Sequence, residues 1–282
     1  MDRPPSAIIH PVSHGRRRTV ALLACSTAAI LVAAGVCAKS TARPSPSGGL
    51  RLKVLRTFPH DSRAFTQGLL MFDGKLYEGT GLYGRSSVRR VDLESGVVEQ
   101  AAVLPDELFG EGLARVGQRL FQLTWKNGKA LVWDLGTLKK VAEFTYDGEG
   151  WGLCFDGKHL VMSDGSDRLT FRNPTTFNKE GEIRVRRGGQ PVLNLNELEC
   201  ERGLVYANVW QDNHIARIDA VTGEVTGWID ASGLLDPAEA AGADVLNGIA
   251  ELDGNGHLLV TGKLWPHLYE VQIVPVAKDV PK

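Results

Sequence analysis

The chain has 282 residues, 43% hydrophobic and 23% charged, and a formal net charge of −1; this composition excludes a disordered chain. The even charge gives no sign of the clustered basic surface that nucleic-acid binding needs. Glycine is abundant at 32 residues, and together with many short β-type runs it favours a turn-rich all-β protein over a helical bundle.

In chain order, Arg16, Arg17 and Arg18 precede an uncharged, mostly apolar run from Thr19 to Ala38. Val36-Cys37-Ala38 supplies small residues of the kind found before a signal cleavage. Residues 1–38 are therefore expected to be a cleaved export signal, which places the protein in the periplasm or outside the cell. The alternative is a retained N-terminal anchor, because 20 such residues can span a membrane. Thr19-Val20-Ala21 fits twin-arginine export poorly, and Val36 before Cys37 argues against lipid attachment. Residues 39–49 form a Ser/Pro/Gly-rich tether. Residues 50–282 are enough for one large core, and no second linker divides them. Within them lie Cys154 and Cys200; an exported protein could pair these two, and buried free thiols are the plainer expectation.

A short element recurs along this part: a polar or aromatic residue, a small residue, then an aliphatic one. It reads Gln67-Gly68-Leu69, Glu111-Gly112-Leu113, Trp151-Gly152-Leu153, Asn196-Glu197-Leu198 and Asn247-Gly248-Ile249. The aliphatic positions are 44, 40, 45 and 51 residues apart, a spacing that suits a four-stranded propeller blade. Each copy leads through turns into further alternating runs, as Asp73-Gly74 leads into Leu76-Tyr77-Glu78. The fifth repeat lacks a fourth strand, and the run Leu50 to Phe58 lacks a repeat of its own. The expected fold is an all-β, five-bladed β-propeller whose last blade is closed by the N-terminal strand, which would also hide a sheet edge. A repetitive β-sandwich is the competing architecture.

Other motifs are weaker. Gly79-Thr80-Gly81-Leu82-Tyr83-Gly84 matches GxGxxG, but a strand rather than a helix is expected after it, so a tight loop is the better reading. His60, His159, His214, His257 and His267 show no metal-ligand spacing. Asp164-Gly165-Ser166-Asp167 and Asp253-Gly254-Asn255-Gly256 resemble fragments of calcium loops, yet both read as plain turns.

Rotation about a propeller axis would bring Gln67, Glu111, Trp151, Asn196 and Asn247 to one level near the channel mouth. Phe65 and Phe109 precede the first two of these by two residues, and Trp125 and Trp210 each fall 12 residues after a repeat aliphatic. Lys263 and Trp265 occupy the comparable region of the last repeat. Matched aromatics around a channel suit the binding of a small, partly apolar group; polar residues solvating the channel are the blander reading.

Several ordered motifs resemble the plant-type glutaminyl cyclases. They are Ala64-Phe65-Thr66-Gln67-Gly68-Leu69, Glu78 to Ser87, Phe109-Gly110-Glu111-Gly112-Leu113, Gly150-Trp151-Gly152-Leu153, Leu195-Asn196-Glu197-Leu198-Glu199, Val245 to Ala250 and Val260 to Pro266. The resemblance runs from about residue 50 to 273, with Cys200 as one departure. It implies a propeller that converts the N-terminal glutamine of peptides or proteins to pyroglutamate and releases ammonia. It also implies Glu111 as the proton-transfer residue, with Phe65, Gln67, Phe109, Trp125, Trp151, Asn196, Trp210 and Lys263 lining the substrate pocket. Neither a metal nor another cofactor is expected, and a monomer is the default. The substrate holds both its nucleophile and its electrophile, so one carboxylate between the two nitrogens can act as base and then as acid. Lys263, Asn196 and Gln67 are candidates to donate to the carboxamide oxygen as it gains charge. The competing function is a non-catalytic propeller that binds a peptide end or sugar.

Overall fold

The computed structural model describes residues 49–252, 254 and 256–276. The expected export signal or anchor at 1–38, nearly all of the tether and the Asp253–Gly256 turn lie largely outside them. Among the described residues, alternating and continuous apolar runs form strands and no helix. β1 (Leu50–Pro59) is followed by β2 (Thr66–Phe72), β3 (Lys75–Thr80), β4 (Ser87–Val91) and β5 (Val98–Val103); β2 to β5 pair in chain order as an antiparallel sheet. A second sheet repeats the pattern with β6 (Gly110–Val116), β7 (Arg119–Thr124), β8 (Lys129–Asp134) and β9 (Lys140–Thr145). A third holds β10 (Leu153–Phe155), β11 (Leu160–Ser163), β12 (Arg168–Arg172) and β13 (Lys179–Arg184).

A small ribbon, β14 (Arg186–Arg187) with β15 (Gln190–Pro191), then precedes β16 (Leu195–Glu201), β17 (Leu204–Val209), β18 (His214–Asp219) and β19 (Val225–Asp230). β20 (Leu246–Leu252), β21 (His257–Gly262) and β22 (His267–Pro275) end the described chain. β1 runs antiparallel along β22, from Leu50↔Pro275 to Pro59↔His267, and so supplies the fourth strand that the last repeat lacks. A short parallel pairing, Leu50↔Ile229 and Arg51↔Asp230, joins this set to β16–β19 as one eight-stranded sheet.

The first strands of the five sets, β2, β6, β10, β16 and β20, touch in succession, and β20 touches β2. The glycine of the repeat permits this approach. A Cβ on Gly68 would stand 2.4 Å from the Leu113 nitrogen, and one on Gly112 2.5 Å from the Leu153 nitrogen. Any side chain there would push neighbouring sheets apart. The fourth repeat departs from the small-residue pattern with Glu197. Its carboxylate spans between sheets instead, accepting from the Leu69 N–H at 3.3 Å and the Ile249 N–H at 2.8 Å. Burial follows the same geometry. β2 is buried along most of its length, covered on both faces, whereas β5, β9 and β13 alternate exposed and half-buried residues.

Apolar layers fill the gaps between sheets. Leu70 and Tyr77 of the first pack with Leu113, Leu120, Leu131 and Trp133 of the second, each such burial contributing about 1.5–3 kcal/mol. Cys154 of β10 and Cys200 of β16 form a disulfide, with Cα atoms 5.4 Å apart, in place of the free thiols that were the plainer expectation. Contact between those two first strands brings the thiols together, a proximity that a sequence separation of 46 does not announce.

A buried charge cluster ties β1's end to the first sheet. Glu78 accepts from His60 Nε2 at 3.1 Å, Thr66 Oγ1 at 2.7 Å and Arg89 Nε at 2.8 Å, while Arg89 Nη1 donates to Asp61 at 3.0 Å. His60 Nδ1 faces the Trp265 carbonyl at 2.7 Å, so both ring nitrogens meet acceptors. Burial acts to lower the ring's pKa, but Glu78 and that carbonyl together raise it, which favours the protonated ring. Burial acts to raise the Glu78 pKa, but Arg89, His60 and Thr66 together hold it at about 2.

Candidate active site

The loops at the first-strand starts enclose a cavity of about 270 Å³. Its walls are Phe65 and Gln67 from the first repeat, Phe109, Glu111 and Trp125 from the second, Trp151 from the third, Asn196 and Trp210 from the fourth, and Lys263 from the fifth. All nine site residues that the resemblance implies therefore meet in one place. Asn247 does not reach the cavity; it is fully buried behind Gln67. Trp265 also turns away, its indole N–H donating to the Asp244 carbonyl at 2.8 Å while its ring packs over Gly262.

The rings are held edge to face. Phe65 and Phe109 lie 6.0 Å apart, Phe109 and Trp125 5.6 Å, and Trp151 and Trp210 5.8 Å. The GxGxxG segment makes room for this wall. β3 ends at Thr80, a loop follows, and a Cβ on Gly81 would fall 2.4 Å from the Phe109 ring. Gly165, in the Asp164 turn, similarly clears space beside Trp151. Asp164 there accepts from the Ser166 N–H and from Arg168, which makes it a closed turn. Trp210 is 36% exposed and Tyr83, packed on Phe109, stands at the rim, so the cavity opens to solvent on that side.

At the floor, Asn247 donates to Gln67 Oε1 at 3.1 Å, and Gln67 donates to Glu111 Oε1 at 3.0 Å. The other Glu111 oxygen, Oε2, is buried with no hydrogen-bond partner, although the residue is only 4% exposed. Burial pushes the Glu111 carboxyl well above the usual range; Lys263 opposes this and Glu149 adds to it. Lys263 lies over the Phe65 ring at 4.7 Å, and burial lowers its pKa against the pull of Glu111. Asn196 Oδ1 is a second buried acceptor without a partner. The floor thus presents an acid, a cation and an amide acceptor to one small volume walled by rings. Among the described residues, no group of three or more His, Cys, Asp or Glu side chains is placed to hold a metal ion.

Sequence reasoning missed Glu149. Its Oε2 accepts from both Trp125 Nε1, at 2.7 Å, and Trp151 Nε1, at 3.0 Å. Its one signal in the sequence is an acid two residues before Trp151.

Residues 25–273 match the family model described as glutamine cyclotransferase. A glutaminyl-peptide cyclotransferase of Arabidopsis thaliana is 46% identical over 228 residues, covering 79% of this chain and 71% of the plant protein. The crystal structure of the Myxococcus xanthus glutaminyl cyclase superposes with a TM-score of 0.74 at 40% identity, covering 82% of this chain and 99% of that one.

Proposed function

The chain belongs to the glutamine cyclotransferase family, and from that premise we propose that it cyclises the N-terminal glutamine of peptides or proteins, with Glu111 as the proton relay. The substrate's α-nitrogen attacks its own γ-carboxamide carbon, and the bond from that carbon to the carboxamide nitrogen breaks. Glu111, ionised, takes a proton from the attacking nitrogen and returns it to the departing one, so the products are a pyroglutamyl end and ammonia. An acid whose pKa burial lifts above the ordinary carboxylate range exchanges protons more readily in both directions. Such a relay contributes roughly 10²–10⁴-fold. Lys263 donates to the carboxamide oxygen as it gains negative charge, and Asn196 Oδ1 accepts a substrate N–H. The rings hold the folded-back conformer and exclude water.

The unpartnered, buried Oε2 of Glu111 inside an aromatic cavity carries this reading. Incubating purified protein with a Gln-led peptide tests it: mass spectrometry should show loss of one ammonia. Binding of the peptide without that loss would favour the non-catalytic binding protein. The five sets of strands, with their first strands in a closed circuit, support a five-bladed propeller comprising residues 50–282. The Cys154–Cys200 bridge supports export to an oxidising compartment.

A further inference from the structure

The aromatic wall comes in two runs, Phe65–Phe109–Trp125 and Trp151–Trp210. They stand on different sheets, since Trp125 follows β7 and Trp151 precedes β10. The Glu149 carboxylate bridges them through its two indole bonds. Its second oxygen lies 3.7 Å from Lys126 Nζ, which in turn sits over the Trp125 ring at 4.0 Å. The Glu149 side chain is 40% exposed, so the bridge is made at the cavity edge and not within an apolar layer.

We propose that Glu149 is a positioning residue that clamps the indoles of Trp125 and Trp151 into one wall and so sets the width of the pocket that holds the glutaminyl group. The inference rests on the cyclase reading above. An indole has one donor and no acceptor, so the partner of its N–H fixes which way the ring faces. A carboxylate that accepts two such donors makes charge-assisted bonds and couples the two rings. Without it, either ring can turn, the wall parts between the second and third sheets, and water enters beside Glu111. A substrate displaced by about 1 Å can lose on the order of 10²-fold in rate. The Glu149 charge has a second effect on the same site: after burial, and against Lys263, it adds to the upward push on the Glu111 pKa.

The test compares the full chain with Glu149→Leu and Glu149→Gln, using cyclisation kinetics on a Gln-led peptide, near-ultraviolet circular dichroism and thermal melting. For Glu149→Leu, kcat/KM should fall about 10²-fold with at least a tenfold rise in KM, and the tryptophan dichroism should weaken. Its melting midpoint should stay near that of the parent. Glu149→Gln keeps a carbonyl acceptor and should recover the dichroism and most of the KM. Parent-like KM and dichroism in Glu149→Leu would overturn the clamp, as would a Glu149→Gln protein as impaired as Glu149→Leu. If the parent fails to cyclise the peptide, the cyclase reading falls; the dichroism comparison then judges the clamp alone.

Discussion

Glu78 and Glu111 sit in neighbouring sheets, both closed off from solvent, and their surroundings drive them in opposite directions. Glu78 accepts from His60, Thr66 and Arg89, and every charge near it is matched. Glu111 has one neutral donor, Gln67, and an oxygen with nothing. Burial alone raises a carboxyl pKa; cations and donors decide whether the group stays a fixed anion or becomes one that can take and release a proton. The first arrangement holds a loop in place. The second leaves bonding capacity for a substrate.

The largest expected effect lies on the Glu111 side. Glu111→Gln keeps the shape and removes the titrating group, so turnover should fall roughly 10²–10⁴-fold while the melting midpoint stays close to the parent's. A folded variant with near-normal turnover would break the contrast. On the Glu78 side the effects should be on stability. Arg89→Leu strands the buried carboxylate and should cost about 3–5 kcal/mol in urea unfolding, with cyclisation per folded molecule preserved. Breaking the Cys154–Cys200 bridge by Cys154→Ser should cost roughly 2–4 kcal/mol and, since neither cysteine lines the cavity, leave KM unchanged.

The smallest signals are pH slopes, each at most about 1.4 kcal/mol per pH unit for one proton. The Glu78 pKa is depressed from 4.5 to about 2, so its contribution is present above 4.5 and is lost as pH falls toward 2. Glu197 behaves oppositely: burial, partly offset by the Ile249 and Leu69 N–H groups, raises its pKa from 4.5 to about 8. Its contribution is present below 4.5 and is lost as pH rises toward 8. Unfolding free energies measured across both windows should lose one proton's share of the acid slope in Glu78→Gln and one proton's share of the fall between pH 4.5 and 8 in Glu197→Gln. Unchanged slopes would remove the assignment.

Much of this was legible in the residues because the repeat has a steric cause. Gly68, Gly112 and Gly152 recur where first strands press together, so their spacing marks equivalent positions, and the residue before each faces the cavity or its floor. Spacing also put Trp125 and Trp210 at matched positions and Lys263 in the comparable region of the last repeat, and the resemblance implied all three as pocket walls. What stayed hidden depends on contacts between sheets. Glu149 lies between two glycines, like any turn acid, and acquires its two indole partners only when the second and third sheets meet. Glu197 broke a small-residue pattern for a reason visible only in its reach to Leu69 and Ile249. Trp265 lay in the region of the last repeat comparable to the other tryptophans, but a backbone acceptor at Asp244 turns it inward.

The contrast between the two glutamates is tested most directly by infrared titration of the protonated carboxyl band, with Glu111→Gln and Glu78→Gln spectra subtracted to assign each group. The account predicts that the Glu111 band persists well above pH 4.5 and that no Glu78 band forms until pH approaches 2. A Glu111 band that disappears in the ordinary glutamate range would contradict it.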